Sequence, residues 1–237
     1  MGRKNYFQFK QFRIEQVNSA MKVGVDSVLL GAWTDVSNAH KILDVGTGTG
    51  LIALMLTQRS QAKIIAVEIE ENAAKEATKN VAESIWNDRI DVNHISFQQF
   101  LERNTEKFDL IVSNPPYFGN SHKAASYERT LARHNDNLTL KELIQGVTKI
   151  LNPTGTLALI IPVMEIRGLQ NLLFENRLFF RRWTEIKPKP SKPANRVLLQ
   201  IGKTPTEQYS SALTIYNNDN SFTEAYKELT RDFYLKF

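Results

Sequence analysis

The sequence predicts an α/β protein with a Rossmann-like, mostly parallel sheet of seven strands, helices on both faces and an antiparallel last strand. Two observations lead to this prediction. From residue 41 onward, short β-branched runs alternate with amphipathic stretches, and a glycine-rich turn, DVGTGTG, stands at the end of the first run. Such alternation is typical of right-handed βαβ units. The 237 residues include no Cys, which excludes disulfides, thiol nucleophiles and Cys-ligated metals.

The predicted elements follow from where apolar residues run continuously, as in buried strands, and where they recur with helical spacing. In chain order they are strand 41–45, helix 51–59, strand 63–69, helix 71–85, strand 90–95, strand 108–116, helix 138–151 and strand 155–162. Two further strands, 179–187 and 195–203, flank KPKPSKP and are expected to pair antiparallel, because no helix-length segment separates them. A short helix is expected over 223–231. We expect a single compact domain overall, made of an N-terminal segment, 1–40, and a main domain, 41–237.

Charge is distributed unevenly along the chain. The net charge is +5, but residues 177–203 carry eight basic residues against one acid, and residues 1–13 carry four basic residues and no acid. Clustered Lys and Arg bind phosphate backbones, whereas a single charge run can also be a solubilising face. Aromatic residues lie among these charges: Tyr6, Phe7, Phe9, Phe12, Phe179, Phe180 and Trp183. We therefore expect a nucleic-acid partner, with Arg181, Arg182, Lys187, Lys189 and Lys192 as candidate contacts.

The glycine-rich turn is the first candidate binding motif. Gly46, Gly48 and Gly50 allow a sharp turn and close approach of a ligand at the carboxyl edge of the sheet. The third glycine comes one residue too early for the G-x-G-x-x-G/A dinucleotide fingerprint, and no G-K-[ST] phosphate loop is present. Glu68 ends the next predicted strand, where a carboxylate can accept hydrogen bonds from both hydroxyls of a ribose. The alternative is a tight turn and a surface acid.

The second motif is Asn114, Pro115, Pro116 and Tyr117, which closes a predicted strand. The prolines stiffen the backbone and leave its carbonyls able to accept, the Asn114 amide can accept and donate, and Tyr117 offers a stacking face. Together these groups can clamp a planar ring that bears an exocyclic amine. The Asn114 side chain and the Pro115 carbonyl would accept hydrogen bonds from the two N–H groups of this amine and direct its nitrogen lone pair toward an electrophilic methyl group. Alternatively, Pro-Pro only stops the strand.

The first motif resembles that of class I S-adenosylmethionine-dependent methyltransferases, and the second resembles the [N/D]-P-P-[Y/F/W] of the amino-methyltransferases. Within that set the chain is similar, nearly end to end, to bacterial enzymes that methylate N6 of adenine 37 in a valine tRNA. FKQFRIEQ (9–16), KVGVDSVLLGAW (22–33) and LTRDFYLKF (229–237) also carry this resemblance. It implies tRNA as substrate. The alternatives are guanine N2 of ribosomal RNA, a protein glutamine amide, or a non-enzymatic RNA-binding module with a vestigial cofactor fold.

The resemblance also implies site residues. Asn114, Pro115, Pro116 and Tyr117 would be catalytic, and Asn114 would also touch the cofactor. The cofactor S-adenosylmethionine would be held by Lys22, Asp26, Asp44, Gly46, Thr47, Gly48, Gly50, Glu68, Ile69, Ser96 and Phe97. The N-terminal segment 1–40 would cover this pocket and contact RNA, as would Arg129, Arg133 and His134 from the long loop after Tyr117. The family usually has Thr where this chain has Val25, and often an acid where it has Ser96.

Location and partners follow from what the sequence lacks. No apolar run is long enough to cross a bilayer, and the N-terminus has no apolar h-region of a signal peptide. No spacing of His, Asp and Glu suits a metal site. We expect a cytoplasmic monomer without a membrane contact, an obligate protein partner or a metal.

Overall fold

Short aliphatic runs form the strands of the central sheet, and the computed structural model describes residues 5–17, 19, 22–115 and 138–236. In chain order the elements are β1 (Tyr6–Gln8), β2 (Arg13–Glu15), α1 (Val25–Trp33), β3 (Lys41–Val45), α2 (Leu51–Arg59), β4 (Lys63–Glu68), α3 (Glu71–Ala82), β5 (Ile90–His94), α4 (Phe97–Arg103), β6 (Phe108–Ser113), α5 (Leu140–Ile150), β7 (Leu151–Pro162), α6 (Ile166–Glu175), β8 (Phe179–Lys187), β9 (Arg196–Gly202), β10 (Tyr209–Thr214) and α7 (Glu224–Thr230). A 3₁₀ turn, Val163–Glu165, joins β7 to α6.

The central sheet has the strand order β10-β8-β9-β7-β6-β3-β4-β5. Neighbouring strands are parallel except at β9, which runs antiparallel to both β7 and β8. The Rossmann-like fold class and the antiparallel pairing of β8 with β9 are therefore confirmed. Among the described residues the sheet has eight strands rather than seven, because β10 adds to β8 in parallel, so the antiparallel strand is not the last one in sequence order. Four of the six residues of β10 are exposed, which removes the apolar signal that marks the other strands.

Helices cover both faces of the sheet and bury one apolar cluster on each. Side chains alternate between the faces along β3, where Ile42 joins the cluster under α1 and α2 and Leu43 joins the cluster under α5 and α6. Both residues are fully buried. In the part of the chain that the structure describes, no helix is both long and apolar enough to span a membrane.

A two-stranded hairpin of β1 and β2 packs against the C-terminal segment. Phe9 is fully buried, and its ring stacks on Phe12 at 4.7 Å and on Tyr234 at 5.9 Å between centroids. The Lys10 N–H donates to the Phe233 carbonyl at 2.8 Å, so backbone pairing also joins the two ends of the chain. Phe9 and Phe12, two of the aromatic residues that lie among the N-terminal basic residues, are therefore part of the core and not of a surface open to a nucleic acid.

Candidate active site

A cavity of about 310 Å³ opens at the carboxyl ends of β3, β4 and β6. This edge of a parallel sheet is where α/β folds bind ligands, and the volume is within the range of small-molecule sites. The glycine-rich turn, Glu68 and Asn114 all contribute to its wall. The two sequence motifs, which are separated by more than sixty residues in the chain, therefore face one cavity.

The glycine-rich turn runs from β3 into α2 in a conformation that requires glycine. Gly46, Gly48 and Gly50 have φ angles of 72°, 59° and 83°. The N–H groups of Gly46 and Thr47 donate to the Val67 carbonyl at 2.9 and 3.1 Å, which fixes the turn to β4. A Cβ at Gly50 would lie 3.4 Å from the Cβ of Ala77, so Gly50 also lets α3 pack closely against the turn.

Asp44 supports the turn from beneath rather than lining the cavity. Its carboxylate is fully buried and accepts a hydrogen bond from the Thr47 hydroxyl at 2.6 Å. Burial raises the pKa of Asp44 to about 7, against the opposing effects of the Thr47 hydrogen bond and the Ala53 amide at the start of α2. Asp44 therefore determines the shape of the turn without direct access to a ligand.

The Glu68 carboxylate faces the cavity and is held in place by two backbone N–H groups. One oxygen accepts the Gly48 N–H at 2.8 Å and the other accepts the Glu70 N–H at 2.9 Å. Each carboxylate oxygen can accept a further hydrogen bond, so the pair suits the adjacent hydroxyls of a ribose. The donors and acceptors at this end of the cavity therefore fit a nucleoside-containing cofactor.

Ile69, Ser96 and Phe97 form the next part of the wall. Ile69 is 45% exposed and offers an apolar surface for a planar ring. The Ser96 hydroxyl accepts the Gln99 N–H at 3.1 Å as the N-cap of α4. The Phe97 ring is buried between α4 and α5. It packs so closely on Gly146 that a Cβ at that position would lie 2.4 Å from the ring. The Ser96 hydroxyl thus serves the helix, which leaves the backbone as the feature suited to a ligand.

Asn114 and Pro115 leave the sheet at the opposite side of the cavity. The strand predicted over 108–116 ends at Ser113, whose hydroxyl donates to the Val45 carbonyl at 2.8 Å and joins β6 to the start of the glycine-rich turn. The Asn114 Nδ2 donates to the Ser27 hydroxyl at 2.9 Å. The Asn114 amide and the backbone of Pro115, which has a carbonyl but no N–H, therefore lie at the cavity wall. Both supply the oxygen acceptors that recognition of an amine requires.

The structure brings most of the predicted cofactor residues together. Those that line the cavity are Lys22, Gly46, Thr47, Gly48, Glu68, Ile69, Ser96, Phe97 and Asn114, together with Pro115. Asp44 and Gly50 lie behind the turn, and Asp26 pairs with Arg196 at 2.8 Å. The Lys22 ammonium donates to the carbonyls of Gln16 and Val17. Pro116, Tyr117, Arg129, Arg133 and His134 lie outside the described residues.

Polar residues of the cavity wall that the sequence analysis did not single out are Ser27, Thr49, Glu70, Gln98 and Ser113. Thr49 lies within the glycine-rich turn and the next three adjoin residues that were predicted, so their position in the sequence could have indicated them, whereas Ser27 lies 87 positions from its partner Asn114. The Gln98 Nε2 donates to a Glu142 oxygen at 3.2 Å, so α5 holds Gln98 in place. A sequence pattern does not show which side chains meet across the sheet.

The predicted RNA-contact residues of β8 and the following loop separate into two groups. β8 runs in the same direction as β6, so Lys187, Lys189 and Lys192 lie at the edge that carries the cavity. Arg182 is about 17 Å from Lys187 along the strand. Its guanidinium lies 3.8 Å over the Trp33 ring, and that of Arg181 donates to the Thr154 carbonyl at 3.3 Å. The structure does not bring Arg181 and Arg182 to the cavity edge.

Comparison with known proteins gives sequence relatives over the whole chain. Residues 12–173 match the methyltransferase small domain family. A tRNA1(Val) (adenine(37)-N6)-methyltransferase from Trichodesmium erythraeum is 45% identical over 236 residues, covering 98% of this chain and 99% of that protein.

Solved structures share the fold at lower sequence identity. A predicted O-methyltransferase from Agrobacterium tumefaciens matches with a TM-score of 0.68 and 19% identity, covering 88% of this chain and 96% of that chain. A 16S rRNA N2 G1207 methyltransferase from T. thermophilus, in complex with AdoMet and guanosine, matches with a TM-score of 0.57 and 20% identity, covering 81% of this chain and 47% of that chain.

Proposed function

Because this chain belongs to the methyltransferase small domain family and, within it, to the tRNA1(Val) (adenine(37)-N6)-methyltransferases, we propose that it methylates N6 of adenine 37 in that tRNA with S-adenosylmethionine as donor. The observation that carries the proposal is the single cavity that joins Glu68 and the glycine-rich turn to Asn114 and Pro115. One end suits a ribose-bearing cofactor, and the other suits an exocyclic amine.

Different residues of the cavity would hold different parts of the cofactor. Glu68 would accept the ribose hydroxyls, and the backbone of the turn from Gly46 to Gly48 would enclose the amino-acid part. Ile69 and the backbone at Ser96 would lie along the adenine. When bound, S-adenosylmethionine supplies an electrophilic methyl group. The protein's task is therefore to bring an amine nitrogen to that methyl in the correct orientation.

Asn114 and Pro115 perform this orientation in the proposed reaction. The amide oxygen of Asn114 and the carbonyl of Pro115 would each accept a hydrogen bond from an N–H of adenine N6. This directs the nitrogen lone pair toward the cofactor side of the cavity. Tyr117 would stack on the base. The nitrogen would form its new bond to the methyl carbon as the bond from that carbon to the donor sulfur breaks, with S-adenosylhomocysteine as the leaving group. The methylated nitrogen would then release one proton to water, so no strong general base is required.

The substrate base must leave its stack to reach Asn114. In an anticodon loop this costs little free energy, because the bases are unpaired. Lys187, Lys189 and Lys192 would hold the RNA backbone beside the cavity, which is supported by the direction of β8 toward the same edge of the sheet. We propose that the segment 1–40 covers the cofactor, since Lys22 and Ser27 are in the cavity wall, and contacts RNA, while 41–237 is the catalytic domain. The expected setting is a cytoplasmic monomer.

The identity of the methylated unit tests the proposal. Total tRNA lacking the modification is incubated with the protein and methyl-labelled S-adenosylmethionine, then digested to nucleosides. Label in N6-methyladenosine that maps to position 37 of tRNA1(Val) is the expected result. Label in N2-methylguanosine, or in methylglutamine when cell extract is the substrate, would identify another amino-methyltransferase. Measurable cofactor affinity with no transfer to any RNA or protein would indicate an RNA-binding module.

A further inference from the structure

We propose that Ser27 is a positioning residue that orients the amide of Asn114 for recognition of the substrate amine. Ser27 lines the cavity from the first turn of α1, and its hydroxyl oxygen accepts the Asn114 Nδ2–H at 2.9 Å. The inference rests on the proposed function, because it assigns a role in presenting adenine N6 to the methyl donor.

The orientation of the Asn114 amide matters because its two ends have opposite hydrogen-bonding character. Its oxygen accepts, whereas its NH₂ group donates, and an exocyclic amine needs an acceptor. With Nδ2 directed at the Ser27 hydroxyl, the amide plane is fixed with the oxygen on the other side. A rotation by half a turn would oppose the NH₂ of Asn114 to the NH₂ of the base, with two donors facing each other.

Ser27 is suited to this role because the backbone that carries it is firmly held. The next three residues of α1, Val28, Leu29 and Leu30, are fully buried in the core. On the other side, Asp26 accepts from the Arg196 guanidinium at 2.8 Å, which joins the start of α1 to the start of β9. The hydroxyl of Ser27 is therefore a fixed acceptor in the cavity wall.

The loss of one hydrogen bond to a neutral partner predicts a moderate effect on the chemical step. We expect the single-turnover rate constant of Ser27→Ala to fall by about three- to tenfold, with no change in cofactor affinity. A purely structural role would change cofactor affinity or thermal stability instead of the rate of methyl transfer.

A matched pair of variants isolates the hydroxyl. Ser27→Thr and Ser27→Val have the same shape and differ by a hydroxyl against a methyl group, and Ser221→Ala, which removes an exposed hydroxyl bonded to Asp219, serves as a control. For each variant the measurements are the single-turnover rate on tRNA, the Kd of S-adenosylhomocysteine by calorimetry, and Tm.

We expect Ser27→Ala and Ser27→Val to be slow, Ser27→Thr to retain most of the rate, and Ser221→Ala to match the wild type. Equal rates for Ser27→Thr and Ser27→Val, or an unchanged rate for Ser27→Ala in an active wild-type background, would overturn this role and leave the proposed function intact. A wild type that binds the cofactor and methylates no tRNA would overturn the proposed function and this role with it.

Discussion

The Glu68 carboxylate stands between two backbone N–H groups and the cavity, and it is the principal polar anchor that the structure offers to a ribose. Replacement by Ala removes charge-assisted hydrogen bonds, so we predict that Glu68→Ala weakens binding of S-adenosylhomocysteine by about 10- to 100-fold. Isothermal calorimetry measures the Kd directly. Glu71→Gln, in an exposed residue that pairs with Lys75, is the control and should bind as the wild type does. Unchanged affinity in Glu68→Ala would contradict the assignment of the ribose end.

Asp44 predicts a pH dependence of stability. Burial raises its pKa in the folded protein to about 7, above the ordinary value of 3.8. The folded chain therefore keeps a proton that the unfolded chain loses over this interval. The stability from this group is fully present below about pH 4 and is lost as the pH rises through about 7.

The Asp44→Asn variant removes this titration, because its side chain stays neutral. We predict that its Tm relative to the wild type increases as the pH is raised from about 4 to about 8. Thermal unfolding of both proteins without cofactor, over a series of buffers, measures the difference. A difference in Tm that is constant across this range would show that the carboxyl does not carry the expected proton.

At the scale of elements, the position of the loop after β8 predicts which basic residues serve RNA. Replacing Lys187, Lys189 and Lys192 together by Ala should raise the KM for tRNA and leave the Kd of the cofactor unchanged. The slope of log affinity against log salt concentration should fall by about one for each lysine that contacts a phosphate.

The control for this experiment removes the same charge elsewhere. Lys63, Lys75 and Lys149 are exposed and lie at the start of β4, on α3 and near the end of α5. Their replacement by Ala should leave the KM for tRNA and its salt dependence close to the wild-type values. Equal effects of the two triple variants would show that net charge, and not the loop after β8, determines RNA affinity.

The aromatic contacts of α7 with Tyr234, the residue on which the N-terminal hairpin packs, predict where stability is concentrated. Tyr226 is fully buried, stacks on Phe222 at 4.9 Å and shares a hydrogen bond with Tyr234 at 3.1 Å. We predict that Tyr226→Ala lowers the free energy of unfolding by about 3–5 kcal/mol, measured by denaturant titration. Tyr209→Ala, at a side chain that is 64% exposed, should change it by less than about 0.5 kcal/mol. A small effect of Tyr226→Ala would mean that the two chain ends are not packed as described.

The elements that the sequence predicted share a physical cause. Strands β3, β4 and β6 are covered on both faces, so most of their residues are apolar, and helices α2, α3 and α5 follow from the spacing of their buried residues. β1, β2 and β10 were not predicted, because the first two are only three residues long and the third is mostly exposed. α1, α4 and α6 were also missed. In α1 six of the nine residues are buried, so no polar face remains to show a helical period.

At the scale of the whole molecule, the site arises because parallel strands bring their carboxyl ends to one edge. The sequence alone located the residues that this geometry places there through a local motif, such as Gly46, Glu68 and Asn114. It did not locate Ser27 or Gln98, whose roles depend on contacts with residues 87 and 44 positions away in the chain. The sequence analysis also grouped Arg182 with the lysines after β8. It could not show that Lys187 lies at the cavity edge and Arg182 away from it, because the direction of β8 in the sheet is a property of the fold.

In the proposed reaction Asn114 presents an amine of the RNA to a cofactor that other residues hold. The Asn114→Ala variant tests this role when it is compared with the wild type for methyl transfer to tRNA, for the Kd of S-adenosylhomocysteine and for Tm. We predict that transfer falls by about a hundredfold or more while the fold and cofactor binding persist. Methyl transfer by Asn114→Ala at a rate near that of the wild type would contradict this role of Asn114.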